Sequence, residues 1–323
     1  MTPCMPAASY RDRVSDATPG RNTGEFAAIE RIAARFGDAP TGEQWIGDDA
    51  AVVRVGDAVV AVAADAVAAG VHADLGLTSL GDLGWKALAA NVSDLAAMGL
   101  AASRAVVTVS GPPGTDLDQL YDGIEACAAA FACPVVGGDL TEAPALVVSV
   151  TVLGNAAVSP PPVYRSGARI GDRVWVSGAL GAAAAGLRGL RSGRVEPQLT
   201  AAHARPVPRL AEGIAARELG ATAMIDVSDG FAADLGHVLD ASRVGCELDT
   251  VPVAAGATLE DALGGGEDYE LVWCAPAAVD VAAAFDRRGL RPPILLGTCT
   301  TDPGRRMLGG QPLGAPGWRH EIG

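Results

Sequence analysis

The sequence predicts a mixed α/β protein of two domains, and three observations carry that reading. At 323 residues the chain is long for one hydrophobic core and sufficient for two. Short apolar runs alternate with stretches of helical period, most regularly in the second half. Between the halves lies Ser159-Pro160-Pro161-Pro162, the best linker in the chain. The expected division is therefore 23–158 and 163–323. Residues 1–22, polar and rich in Pro, Ser and Arg without a period, read as a disordered tail.

A helix is predicted from about residue 24, where Phe26, Ile29, Ala33 and Phe36 fall on one apolar stripe. Strands follow at 51–55 and 58–64, then a helix at 83–98, a strand at 104–110, a helix at 117–131 and a strand at 146–153. In the second half strands are predicted at 173–177, 223–227, 246–249, 270–274 and 294–297. Helices fit between them, one at 231–242. That alternation suggests an α/β carboxy-terminal domain. No repeat of 20–50 residues is evident. In the helix at 83–98, Trp85, Leu88, Val92 and Leu95 form the apolar stripe, and Asn91 and Asp94 share a neighbouring face. Asp94 can thus reach a site at the sheet edge while the helix stays anchored; taken alone it reads as a solvated surface acid.

Composition narrows the function. The net charge of -14 argues against nucleic acid or an anionic membrane as partner. Of 24 basic residues only Lys86 is a lysine, and it lies in no G-x-x-x-x-G-K-[ST] loop. A nucleotide would then need metal ions for most of its counter-charge. The six cysteines (Cys4, Cys127, Cys133, Cys246, Cys274 and Cys299) form no C-x-x-C and read as free thiols of a reducing cytosol. With no signal pattern and no apolar run of about 18 residues, a soluble cytoplasmic protein is expected.

Five short segments set acids among small residues beside apolar runs: Gly47-Asp48-Asp49-Ala50-Ala51, Asn91-Val92-Ser93-Asp94, Gly137-Gly138-Asp139-Leu140-Thr141, Asp226-Val227-Ser228-Asp229-Gly230 and Gly265-Gly266-Glu267-Asp268-Tyr269-Glu270. Carboxylates gathered from distant parts of a chain repel one another unless cations lie between them. Oxygen ligands with little His or Cys favour Mg²⁺ over zinc, and Mg²⁺ is commonly shared with substrate phosphates. Each segment also has a plain structural reading. Asp48-Asp49 alone is more often a turn than a ligand. Asp65, at the end of the run 59–64, calls for a cation or a backbone cap if buried. Gly137-Gly138-Asp139 reads as a turn whose amides face phosphate while the acid binds metal, although turns commonly look like this. In 226–230, Ser228 or Asp229 suits a helix N-cap, and the helix start attracts phosphate. The three glycines 264–266 place Glu267 at a loop tip close to a ligand, or form a mobile loop with solvated acids. His72 is a possible substrate contact; His203, His237 and His320 read as surface residues. No Ser-His-Asp or Cys-His spacing is present.

Taken in order, G-D-D-A-A, N-x-S-D-L-A-A-M-G, G-G-D, R-S-G-A, I-D-V-S-D-G and G-G-G-E-D-Y-E-L resemble the thiamine-monophosphate kinase family. That family belongs to the superfamily of aminoimidazole ribonucleotide synthetase and selenophosphate synthetase. The resemblance runs from Gly24 to His320. It implies a two-domain fold, with an amino-terminal domain that binds ATP and metal and forms a barrel across a homodimer, and an α/β carboxy-terminal domain. It implies that Asp49, Asp65, Asp94, Asp139, Asp226 and Asp229 bind several Mg²⁺ ions, and that Gly138, Asp139, Arg165 and Ser228 contact ATP. His72, Glu267 and Trp318 would contact thiamine monophosphate. The implied reaction yields ADP and thiamine diphosphate and needs no general base. Ala63-Ala64 replaces the hydroxyl residues the family usually carries before Asp65, and Arg319 replaces a frequent Asp. The first departure is the only support for a diverged enzyme or a non-catalytic binding protein. A selenophosphate synthetase would need a reactive Cys in a glycine-rich context, which Cys4 lacks.

Overall fold

The computed structural model describes residues 25–314 and 317–318. The tail at 1–22 with Cys4, and Arg319 and His320, lie outside the described residues, as does the side chain of Phe26.

Helix α1 (Glu25–Phe36) precedes an antiparallel pair, β1 (Ala51–Val55) and β2 (Ala58–Ala68). Strand β2 runs past Asp65, because Ala66, Val67 and Ala68 go on pairing with β5 (Val147–Asn155). Helix α2 (Leu80–Ala97) starts three residues before its predicted first residue at 83. Ser79 accepts the Asp82 N–H and the Asp82 carboxylate accepts the Ser79 N–H, a capping box that fixes the start. There follow β3 (Ala102–Gly111), α3 (Leu117–Ala130) and β4 (Val135–Glu142). The sheet order is β1-β2-β5-β3-β4, antiparallel except for the β3–β4 pair, which α3 connects. Leu83, Leu88, Leu95 and Ile124 of the two helices bury the sheet face that carries Val107, Val109, Val148, Val150 and Val152.

Strand β4 corrects the reading of Gly137-Gly138-Asp139 as a turn. Glycine is unfavourable inside a strand and marks a close backbone approach there. A Cβ on Gly138 would stand 1.8 Å from the Val107 carbonyl oxygen, so this pairing requires glycine. Val107 pairs with Gly138 and Thr108 with Asp139. By strand alternation Asp139 therefore projects on the face opposite the helices.

The second half forms β6 (Arg173–Val176), α4 (Ala182–Ser192), α5 (Pro197–Ala204), α6 (Leu210–Glu218), β7 (Ala223–Asp226), α7 (Phe231–Ser242), β8 (Gly245–Leu248), α8 (Leu259–Gly264), β9 (Leu271–Ala275), α9 (Val281–Asp286), β10 (Ile294–Thr300), β11 (Arg306–Leu308) and β12 (Gln311–Pro312). The sheet order is β12-β11-β8-β10-β6-β9-β7, and only β11 and β8 run parallel. Strand–helix alternation usually accompanies parallel strands. Here the helices join strands that are not neighbours: α4, α5 and α6 link β6 to β7, with β9 between them in the sheet. The alternation is real and, apart from the β11–β8 pair, the sheet is antiparallel.

The two sheets meet on α2. Ala96 and Ala97 at its end pack with Met224, Trp273 and Phe285, and the Trp85 Nε1–H donates to the Pro206 carbonyl. The Val163 N–H bonds Met98 O, so the chain leaving the Pro-rich segment is laid along the helix end. Helix α2 thus contributes side chains to both halves, and its carboxyl-terminal part carries Asn91, Ser93 and Asp94. Cys127, Cys133, Cys246, Cys274 and Cys299 are buried free thiols, as expected.

Candidate functional site

Three of the acids converge. Asp49, two residues before the start of β1, Asp94 of α2 and Asp226 at the end of β7 place ligand oxygens within 4.8 Å of one another. Two of them, Asp49 and Asp226, are held from outside the cluster. Arg165 donates Nε and Nη2 to Asp49 Oδ1 at 3.2 and 2.6 Å. Its backbone N–H bonds the carboxylate of Asp48. Ser93 Oγ donates to Asp226 Oδ2 at 2.5 Å, crossing from α2 to the second sheet. Asp49 Oδ2 is buried and has no hydrogen-bond partner among the described residues.

The electrostatics carry the strain of this gathering. Burial, then repulsion by Asp65, Asp226 and Asp49, lifts the Asp94 carboxyl well above the usual range. Burial and Asp49 raise Asp226 to about 7 against the donation from Ser93, and burial with Asp49 raises Asp48 to about 7. Asp65 belongs to the same field: it acts on both Asp94 and Asp226, and its N–H is held at 2.8 Å by Asn91 Oδ1. Asn91 is itself fixed, because its Nδ2 donates to Ala87 O one turn back. Asp139 stands apart: it is exposed on β4 and accepts from Thr141 Oγ1.

The loop from Val227 to Gly230 corrects a second expectation. Neither Ser228 nor Asp229 caps α7; the N-cap is Gly230. The N–H groups of Ser228, Asp229 and Gly230 all point at Oδ2 of Asp234, at 3.0, 3.1 and 3.0 Å. The helix start is already filled by the chain's own carboxylate, so these amides do not face a phosphate. The loop's carbonyls are taken as well: Tyr269 N–H bonds Val227 O, Glu267 N–H bonds Ser228 O and Trp318 N–H bonds Asp229 O. A Cβ on Gly266 would lie 2.2 Å from Ser228 O, which accounts for glycine there.

Glu267 does not sit at an exposed tip. Both its oxygens accept from Lys86 Nζ, at 2.8 and 2.9 Å, and Oε2 lies 3.3 Å from His203 Nδ1. Burial pushes this carboxyl up, but Lys86 and His203 outweigh it and hold it at about 2. Asp268 accepts from Gly181 and Ala183 at the start of α4. Glu270 accepts from Arg209, Arg291 and Ser177. The segment is thus a set of internal anchors rather than a mobile acidic loop. His203, expected at the surface, is buried on α5. His72 accepts the Ala68 N–H on Nδ1, which leaves the neutral ring's proton on Nε2. Its backbone carbonyl accepts from Lys86. His72, Glu267 and Trp318 are therefore tied to one neighbourhood, the first two through Lys86 and the last two through the Ser228–Asp229 backbone.

Sequence reasoning set Asp48 and Asn91 beside the candidate ligands, and it missed Ser93, Asp234, His203 and Lys86 as parts of the site. Only Asp234 had a local signal: an acid in the first turn of a helix entered through glycine can turn back on the loop amides.

Residues 47–156 match the family model described as AIR synthase related protein, N-terminal domain. The thiamine-monophosphate kinase of Mycobacterium tuberculosis (strain CDC 1551 / Oshkosh) is 38% identical over 268 residues, 78% of this chain and 80% of that protein. The chain belongs to the thiamine-monophosphate kinase family. It is an enzyme with the fold of that family's solved members. The structure of AaThiL complexed with AMPPCP and TMP superposes with a TM-score of 0.81 at 28% identity, over 95% of this chain and 100% of that one. Thiamine-monophosphate kinase from Stenotrophomonas maltophilia K279a gives 0.72 at 34% identity, over 90% and 98%. Among the described residues no helix is long and apolar enough to cross a membrane.

Proposed function

We propose that this chain transfers the γ-phosphoryl group of ATP to the phosphate of thiamine monophosphate, releasing ADP and thiamine diphosphate. Its family and a solved relative complexed with AMPPCP and TMP support the substrates. The observation that carries the chemistry is the cluster of Asp49, Asp94 and Asp226, in which a buried carboxylate oxygen of Asp49 has no donor among the described residues. An all-oxygen set of this kind fits Mg²⁺. Divalent ions there would supply the positive charge that lets two phosphate anions approach.

Asp49, Asp94 and Asp226 would hold the ions directly, with Asp65, Asp229 and Asp139 completing the set around the bound nucleotide. Gly138, Asp139, Arg165 and Ser228 would contact ATP. Arg165, now forked on Asp49, presents guanidinium N–H groups to phosphate oxygens from the same position. His72, Glu267 and Trp318 would line the acceptor side. The acceptor oxygen belongs to a phosphate whose second pKa is about 6, so it is already ionised near neutral pH. It attacks the γ-phosphorus in line, and the bond to the ADP oxygen breaks. No side chain has to remove a proton.

The predicted barrel across a homodimer belongs to the same reading. Strand β4 is an open edge with Val136 and Leu140 exposed, and Val55 is exposed on the other edge strand. Light scattering should give twice the chain mass of 32.5 kDa; a monomer at assay concentration removes the dimer.

The decisive experiment incubates purified protein with ATP, Mg²⁺ and thiamine monophosphate and detects thiamine diphosphate by mass. Metal-dependent product is expected. A folded protein that binds ATP–Mg²⁺ and yields no product overturns the reading.

A further inference from the structure

We infer that Lys86, the chain's single lysine, is a positioning residue that sets the acceptor side of the site. The inference rests on the kinase reading above.

Lys86 is buried on α2, and its three ammonium protons have three acceptors. Two are the oxygens of Glu267 and the third is the His72 carbonyl at 3.2 Å. The side chain thus binds the segment between β2 and α2 to the glycine-rich segment between α8 and β9, reaching Glu267 across 181 residues of sequence. A buried ammonium–carboxylate pair is weak as a source of stability but strict in geometry, because breaking it leaves a buried charge.

The backbone around Glu267 supports a geometric role. Glu267 and Tyr269 have φ of +68° and +50°, a region that side-chain-bearing residues rarely adopt. Such conformations persist where the surroundings over-determine them. Here the Lys86 bond, Glu267 N–H to Ser228 O and Tyr269 N–H to Val227 O are those surroundings. The Lys86–Glu267 pair thereby fixes His72 and Glu267 relative to the Ser228–Asp229 backbone, onto which Trp318 is also bonded. Glu267 is already neutralised by an internal cation. It therefore holds the loop in place and does not serve as the counter-charge for a cationic substrate.

Lys86→Met keeps an unbranched side chain one atom shorter and removes the charge. The expected result is a KM for thiamine monophosphate raised roughly tenfold or more, on the scale of misplaced substrate groups. The KM for ATP should stay within about twofold, which separates acceptor positioning from general damage. Both KM values rising together, or neither moving, overturns the inference. Should that variant fail to fold, wild-type protein labelled at the lysine ε-carbon gives one side-chain resonance. It should shift on adding thiamine monophosphate and stay in place on adding ADP with Mg²⁺. No shift with thiamine monophosphate, or an equal shift with ADP, overturns the inference. This second readout needs no turnover, so a failed kinase assay with a responding lysine separates the two readings.

Discussion

Asp94 stands where burial and three other acids act on one carboxyl group, all of them pushing its proton affinity up. An asparagine there keeps the shape and removes the repulsion. Its raised folded-state pKa means that Asp94 costs stability at neutral pH, so Asp94→Asn should melt higher than wild type without metal. Turnover should fall by about 10²-fold or more, the scale of a lost transition-state contact. Wild-type turnover in that variant would remove Asp94 from the metal set. The acids themselves were legible in the sequence because small residues surround them in a fixed order. Their partners were not. Lys86 meets Glu267, Ser93 meets Asp226 and Arg165 meets Asp49 across separations of 181, 133 and 116 residues, and no local pattern encodes such pairs. The Ala63-Ala64 departure also changes meaning. Ala63 packs in the core, on the side of Asp65, while Ala64 is exposed on the opposite face. At most one of the two missing hydroxyls could reach the Asp65 side.

At the scale of elements, the start of α7 is the feature that shapes the site most. Asp234 holds three consecutive amides and so sets where the Ser228 and Asp229 side chains emerge. Asp234→Ala would leave three donors unpaired, the Gly230 N–H buried and those of Ser228 and Asp229 half-buried. It should cost about 1–3 kcal/mol for the first orphaned group alone, read as a lower melting temperature together with a weaker response of activity to Mg²⁺. Asp234→Asn retains a carbonyl acceptor and should recover most of the melting temperature. An alanine variant as active and as stable as wild type would leave the loop without this support. The helix itself was readable to the residue, since 231–242 is the observed span. Strand β4 was not, because two glycines and an acid imitate a turn and its exposed faces give no apolar alternation. The antiparallel second sheet was hidden for another reason: alternation reports how strands are connected, and neighbours in the sheet are chosen by packing.

Over the whole molecule, the acids make stability depend on pH in an unusual direction. A carboxyl whose folded pKa lies above its unfolded value stabilises the fold while protonated, and that contribution is lost as pH rises through the folded value. Asp48, Asp226 and Asp268 are all lifted from 3.8 to about 7, each first by burial. Glu267 works the other way. It is held at about 2 from an ordinary 4.5, so its contribution is present at neutral pH and lost only in strong acid. Between about pH 5 and about pH 8 the raised acids therefore dominate, and metal-free protein should melt progressively lower as pH increases across that window. Saturating Mg²⁺ should flatten the slope, because bound cations favour the ionised forms of Asp48 and Asp226 and displace their protons. Some slope should remain, since Asp268 is spent on the α4 amides and faces no metal position. Calorimetric melts at several pH values, with and without Mg²⁺, read this directly. A flat metal-free profile would mean that the acids are not raised. A slope indifferent to Mg²⁺ would mean that the raised groups are not the ones that bind it.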